Sequence, residues 1–393
     1  MKKKIIIPAG LGLLILIFVV SQIVPGRTIV IECDNGSKKP SLPDSIELNV
    51  YVENSGSMDG YMCRGSNLKD AVYDYISNLK KYVAVSRLFY INSQTIPCKV
   101  SLDDYIKELT PQSFATAGGN RGNTDLRDIF KKVLSYHSTN TVSVFISDCI
   151  LDISQSSTDY FGNCQVSIKN TFVDAIDRCP NLGVQIVKLQ SKFDGFWFCG
   201  KNTERLINVK RPYYIWIIGN ANVLAMFNKY TPISDVLGGI QNYCAFSTTQ
   251  FIPFEISTKR YKINHSGKIM VEILVDLSGA LQEEKVLQDK DNYTLSNSQQ
   301  VSIASIRPIS KNGSIYSHVI DLELNKPQNL KSVEITFSYP QLPDWVILSN
   351  DSTGIYDNSL DKTTGILSLV KGVSGAYKEY VEYGKIEFNL KNI

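Results

Sequence analysis

Apolar residues in this chain recur with two different periods, and the order in which those periods alternate limits the folds open to it. Ile46, Leu48, Val50 and Val52 fall at every second position and predict a strand that runs into the polar turn Asn54-Ser55-Gly56. Leu68, Val72, Ile76 and Leu79 keep a helical spacing within Asn67 to Tyr82. Val85 to Ile91 reads as the next strand, with a short edge strand over Lys99 to Leu102. A helix carrying Leu126, Ile129, Phe130, Val133 and Leu134 follows, then a strand from Thr141 to Ser147. Val166 to Arg178 is a helix stopped by Pro180; Val184 to Leu189 and Tyr213 to Ile218 are strands, and Ala221 to Tyr230 is a helix. Strands alternating with helices imply right-handed crossovers and a mostly parallel sheet covered on both faces. Ligands of such sheets bind beyond the carboxyl ends of the strands.

After about residue 240 the helical period stops. Phe251 to Phe254, Ile269 to Val275, Val301 to Ile303, Val319 to Leu322, Val333 to Phe337 and Lys385 to Leu390 read as short strands, separated by turns such as Asn312-Gly313. This pattern predicts an antiparallel immunoglobulin-like sandwich. The organisation expected is an α/β unit over 45–235 and an all-β unit over 245–393. Residues 27–44 are polar and read as a spacer.

The first 26 residues differ from both units. Met1-Lys2-Lys3-Lys4 precedes an uncharged run from Ile5 to Val24, and twenty residues at helical rise cover roughly 30 Å, the thickness of a bilayer's hydrocarbon core. The lysines favour a cytoplasmic N-terminus, so a single transmembrane helix with the bulk of the chain extracytoplasmic is expected. A cleaved signal peptide is the alternative, but Ser21-Gln22-Ile23 offers no small-x-small cleavage pattern. The net charge of +3 and the lack of any later basic cluster make nucleic acid a poor partner. Eight cysteines with no C-x-x-C pair argue against a zinc ribbon or redox motif; they can pair as disulfides or stay as buried thiols. A bridge between Cys63 and Cys149 is one such pairing, whereas Cys164 and Cys179 flank a helix that holds them about 22 Å apart, too far to bond.

Three short segments fall where an apolar strand gives way to a polar loop: Glu53-Asn54-Ser55-Gly56-Ser57, Thr124, and Asp148. Their donors are hydroxyls and a few carboxylates, a hard oxygen set that suits Mg²⁺ or Mn²⁺ better than zinc. In this order they resemble the metal-ion-dependent adhesion site of von Willebrand factor A domains, where a D-x-S-x-S loop, a threonine before a helix and an aspartate at a strand end share one cation. The resemblance covers about residues 45 to 230. It implies that Ser55, Ser57 and Thr124 touch the metal or its waters and that Asp148 holds it directly or through water. Glu53 stands where the family usually has aspartate, and Cys149 where glycine is common. A cation so lightly neutralised seeks an anionic ligand from outside, for which an Asp or Glu carboxylate of a partner protein is the natural donor.

Other motifs offer less. Ala117 to Gly122 lacks the Lys-Ser/Thr ending of a P-loop and reads as a loop that positions Thr124; Asp59 reads as a solvated turn residue or an auxiliary carboxylate. His137, His265 and His318 are not spaced as metal ligands, and no Ser-His-Asp arrangement can be traced among them. His137, at a helix end, can interact with the carbonyl dipole. Phe193, Phe196, Trp197 and Phe198 sit in a connection between two strands, where a packed hairpin or a domain contact is the ordinary reading. The expected function is a membrane-anchored, non-enzymatic protein that binds a protein partner through a divalent cation. The alternative is a metal-independent structural subunit of an envelope complex.

Overall fold

The computed structural model describes residues 30–33, 42–102, 104–105, 110–122, 124–151, 158–199, 202–236, 239–263, 266–310, 314–339, 342–353 and 359–392. The expected membrane-spanning run Ile5 to Val24 and most of the spacer lie outside them. Among the described residues no helix is long and apolar enough to cross a membrane.

Strand β1 (Val30–Cys33) joins a later sheet and is taken up below. The main sheet has seven strands: β2 (Glu47–Glu53), β3 (Val85–Ile91), β4 (Thr95–Pro97), β5 (Thr141–Ser147), β6 (Leu182–Cys199), β7 (Asn202–Asn220) and β8 (Ile240–Ser247). Their spatial order is β4-β3-β2-β5-β7-β6-β8. Central strands β2 and β5 are covered on both faces, as their two-residue period requires. Leu48, Val50 and Val52 pack with Val142, Val144 and Ile146 on one face, under helices α1 (Asn67–Leu79) and, later in the chain, Ala221–Tyr230. Tyr51 and Phe145 face the other side. There α2 (Pro111–Ala115) is followed by α3 (Leu126–Ser135) and α4 (Thr158–Arg178), of which α3 and α4 cover the sheet. Phe130 on α3 meets Trp216 of β7 edge-on, with ring centroids 4.8 Å apart. The helix at Ala221–Tyr230 is α5, capped by the Asn220 side chain.

The expected fold class, a Rossmann-like von Willebrand factor A domain on a mostly parallel sheet, is not the one adopted. In this sheet β2–β3 and β2–β5 are parallel, while β3–β4, β5–β7, β6–β7 and β6–β8 are antiparallel. The cause lies in residues 190–199 and 202–212, read from the sequence as parts of a connection. They continue both flanking strands into one long hairpin, in which Ser191, Phe193, Gly195 and Trp197 are buried while Phe196 and Phe198 are exposed. An antiparallel pair joined by a hairpin needs no crossover helix, so this half of the sheet escapes the parallel rule. The predicted edge strand over Lys99 to Leu102 is also displaced, to β4.

Residues 245–393 likewise depart from the uninterrupted immunoglobulin-like sandwich expected of them. Two antiparallel sheets do pack over one apolar core. The four-stranded one combines β9 (Phe254–Ile256), β11 (Lys268–Val275), β13 (Val301–Pro308) and β14 (His318–Asn325) in the order β13-β14-β11-β9. The five-stranded one, β10-β1-β18-β15-β12, combines β1 with β10 (Arg260–Lys262), β12 (Tyr293–Leu295), β15 (Ser332–Ser338) and β18 (Glu382–Asn392). Thus Val30–Cys33, expected in the spacer, pairs with β10 and β18. A short helix α6 (Glu284–Gln288) precedes β12. Between β15 and β18 the chain leaves the sandwich through α7 (Asp344–Leu348), the parallel pair β16 (Asn350–Asp351) and β17 (Thr363–Thr364), and α8 (Ile366–Ala376). Ile366, Leu369, Val370 and Val373 repeat at helical spacing and bury against Ile168 and Phe172 of α4. Helical periodicity therefore does return after residue 240.

Two expectations follow from this packing. A Cβ on Gly372 would stand 2.7 Å from the Gln165 carbonyl oxygen, whereas one on Gly375 meets only the flexible Lys169 side chain at 3.4 Å. Both sites gain about 1 kcal/mol of helix propensity on substitution by alanine. Gly375→Ala should therefore stabilise, whereas Gly372→Ala should lose about 1–3 kcal/mol to overpacking, as urea denaturation will report. Second, the His137 ring is buried with both nitrogens unpartnered, and burial, reinforced by Arg178, lowers its pKa from 6.5 to about 4. The ring is thus held neutral, against the dipole contact expected of it. The unfolded chain binds this proton first, so stability is full above pH 6.5 and is lost as pH falls towards 4. His137→Leu should remove about 3 kcal/mol of that acid dependence in denaturation curves across the interval.

Candidate metal centre

The parallel register of β2 and β5 pairs Val52 with Ile146, so the two strands release Glu53 and Ser147-Asp148 side by side at their carboxyl ends. Glu53 is 4% exposed and Asp148 2%. Ser147 Oγ donates a hydrogen bond to Glu53 Oε2, and the Ser55 hydroxyl stands near enough to the Glu53 carboxyl to oppose its upward shift. The Ser57 hydroxyl stands likewise towards Asp148, and Ser55 Oγ lies 3.0 Å from Ser57 Oγ. Glu53, Ser55, Ser57 and Asp148 therefore form one connected polar cluster. Burial, with the neighbouring Asp148 charge behind it, pushes the Glu53 carboxyl up to about 8, although the hydroxyls of Ser147 and Ser55 oppose the shift. Asp148 is raised as well, chiefly by burial, against the Ser57 hydroxyl, the Ile150 N–H and the Arg211 charge.

A second loop is fastened to the first. Asn92 Nδ2 donates to Asn54 Oδ1 at 2.7 Å and to the Gly118 carbonyl at 2.8 Å. Gly118 and Gly119 both have positive φ, and a Cβ on Gly119 would stand 2.1 Å from Asn92 Oδ1, so this approach requires glycine. Arg121 donates to the carbonyls of Asn54 and Ser55, each at 3.2 Å, and forms an ion pair with Asp59. Asp59, read from the sequence as a turn residue, is thus a tie between the loops. Thr124 follows three positions after Arg121 and just before Asp125, the N-cap of α3. Its Oγ1 is buried without a hydrogen-bond partner. Of the five residues singled out in sequence, Glu53, Ser55, Ser57 and Asp148 gather together, while Thr124 lies beyond the Arg121 loop at the start of α3.

Sequence reading overlooked Arg211. It sits on β7, 2% exposed, where its charge acts on both Asp148 and Tyr61. A single arginine inside the otherwise strand-like run up to Ile218 was the available signal. Cys149 takes φ +56°, the left-handed conformation for which glycine is favoured, and its thiol accepts the Trp216 Nε1 hydrogen at 3.2 Å. Cys63 points instead to the Lys192 carbonyl, 3.8 Å away, and both cysteines are free thiols, so the expected Cys63–Cys149 bridge is absent.

The donors present fit a hard cation. Two carboxylates share one buried cluster with one arginine charge nearby, and three hydroxyls accompany them. Buried polar atoms normally have partners, which leaves the Thr124 hydroxyl an open donor. Among the described residues no group of three or more His, Cys, Asp or Glu side chains is gathered for a metal. No protein-family model matches the chain, and no curated protein matches it.

The carboxylate pair carries a pH signature. Glu53 folded titrates above its value of 4.5 in the unfolded chain, so its contribution is full below 4.5 and is lost as pH rises through about 8. In chelator, Glu53→Gln should flatten that decline by a few kcal/mol, measured by urea titrations on either side of neutrality.

Proposed function

We propose that this chain binds a partner protein through Mg²⁺ or Mn²⁺ held by Ser55, Ser57, Thr124 and Asp148, with Glu53 alongside. An Asp or Glu carboxylate of the partner completes the cation's shell. The observation that carries this reading is the Glu53–Asp148 pair, buried together at adjoining strand ends beside the hydroxyls of Ser55 and Ser57. Two carboxylates taken out of water repel each other, and a cation relieves that repulsion while leaving room for an outside anion. The loops resemble the adhesion site of von Willebrand factor A domains. That likeness is confined to the loops, since the sheet beneath them is mixed. Anchoring by Ile5 to Val24, with the site displayed outside the cytoplasm, belongs to the same proposal.

A second reading also has an observation in its favour. Arg211 and the hydroxyls of Ser57 and Ser147 already offset the two carboxylates, which a metal-independent envelope scaffold would need.

Thermal melts separate the two. Mg²⁺ at about a hundred times its Kd should stabilise the parent protein by about 2.7 kcal/mol, a shift of a few degrees in Tm that EDTA reverses. Asp148→Ala should abolish the shift. Thr124→Val should leave the chelated protein as stable as the parent, because the hydroxyl it removes makes no bond, yet weaken the Mg²⁺ effect. Identical melts with Mg²⁺ and EDTA would favour the scaffold.

A further inference from the structure

A cleft of about 720 Å³ opens where α5 and β8 meet the sandwich. Tyr230, Ile233, Tyr243, Ile309 and Ile315 give it an aromatic and aliphatic lining, and none of its residues belongs to the Glu53–Asp148 cluster. Ser317, His318 and Glu284 lie together on its wall. Ser317 Oγ is 2.8 Å from His318 Nδ1, and His318 Nε2 is 2.9 Å from Glu284 Oε1. His318 is 3% exposed, while Ser317 is half-buried and faces the cleft.

The contacts accommodate a proton arrangement suited to catalysis. Leu277 N–H donates to Ser317 Oγ at 2.8 Å, occupying one lone pair. The hydroxyl hydrogen has His318 Nδ1 at 2.8 Å as its near acceptor, against 3.5 Å to the Val275 carbonyl. With Nδ1 accepting, the neutral ring carries its proton on Nε2 and donates it to Glu284, whose carboxyl the contact lowers. Gln288 Nε2 donates to the same Glu284 oxygen at 2.7 Å and holds it in place. A hydroxyl, a base with a free lone pair and an orienting carboxylate are the parts of an activated serine, whichever ring nitrogen serves as base.

We propose that Ser317 is an acyl-accepting nucleophile, with His318 as its general base and Glu284 as the positioning residue, acting on uncharged esters of apolar or aromatic acids. The remaining Oγ lone pair forms a bond to the ester carbonyl carbon as the hydroxyl proton passes to Nδ1. The adduct breaks its carbon–oxygen bond to the alcohol, which leaves with that proton. Water, deprotonated by the same Nδ1, then attacks the acyl-serine, releasing the acid and returning a proton to Ser317. Asp276 and Glu284 on the cleft wall outnumber its Lys229, which donates to the Ser314 carbonyl, and disfavour anionic esters.

The test uses the purified full chain with a fluorophosphonate probe and 4-nitrophenyl butyrate. Peptide mapping should place the label on Ser317, and Ser317→Ala should lose labelling and about a hundredfold or more of the ester turnover. Glu284 is 52% exposed at its side chain, so Glu284→Gln should melt as the parent does. It should nonetheless lower kcat by about tenfold or more with KM little changed. Absence of label on Ser317 in the folded protein, or a Glu284→Gln variant with the parent's kcat, would overturn the proposal and leave the three residues as a structural tie between α6 and β14.

Discussion

Two parallel strands, β2 and β5, hydrogen-bond in a register that makes Val52 the neighbour of Ile146. That register forces Glu53 and Asp148 into one buried space, and much of the site's construction follows from it. A carboxylate in low dielectric needs polar neighbours, and Ser147 donates to Glu53 while the hydroxyls of Ser55 and Ser57 stand beside the pair. Had β5 slipped by one residue, Asp148 would have turned to the opposite face and Glu53 would have lost both its neighbour and its Ser147 donor. The β2–β5 pair is held in turn by the two cores that cover it, so apolar packing on both faces maintains the electrostatic arrangement at its end.

The long β6–β7 hairpin changes what that end of the sheet can do. It brings Arg211 beside Asp148, a fixed positive charge that moderates the cluster's anionic character. It also lies against the 3-10 turn Ser57–Met62, where a Cβ on Gly195 would stand 2.5 Å from the Gly60 backbone. Tyr61 completes the contact, donating to the Pro212 carbonyl and meeting Phe193 edge-on with centroids 4.9 Å apart. The turn carrying Ser57 is thus clamped by backbone packing, which favours a preformed site over one assembled on binding.

Chemistry-bearing groups also collect at the junction of the two bodies. There α5 and β8 meet the β14 end of the sandwich, and the cleft between them carries Ser317, His318 and Glu284. The bodies are further joined by β1, which enters the five-stranded sheet, and by α8, which returns to cover α4. A cleft braced from both sides can hold a reactive geometry that a loop alone would not.

Local patterns determined a good deal unaided. The period of two fixed β2 and β5, and the helical spacing fixed α1, α3 and α5, because each buries a face whose repeat is visible in consecutive residues. The segments bearing Glu53, Ser55, Ser57, Thr124 and Asp148 were legible for the same reason, each lying where a strand or loop turns polar. Tertiary structure alone decided the antiparallel half of the sheet, since Phe193 to Phe198 look alike as connection or as ribbon until Gly195 is seen against Gly60. It also decided the return of α8 onto α4, the placing of Arg211 beside Asp148, and the alignment of Ser317 and His318 with Glu284, 34 positions away. A sequence displays what each residue prefers among its neighbours in the chain, whereas strand partners and charge pairs are chosen by which distant surfaces exclude water together.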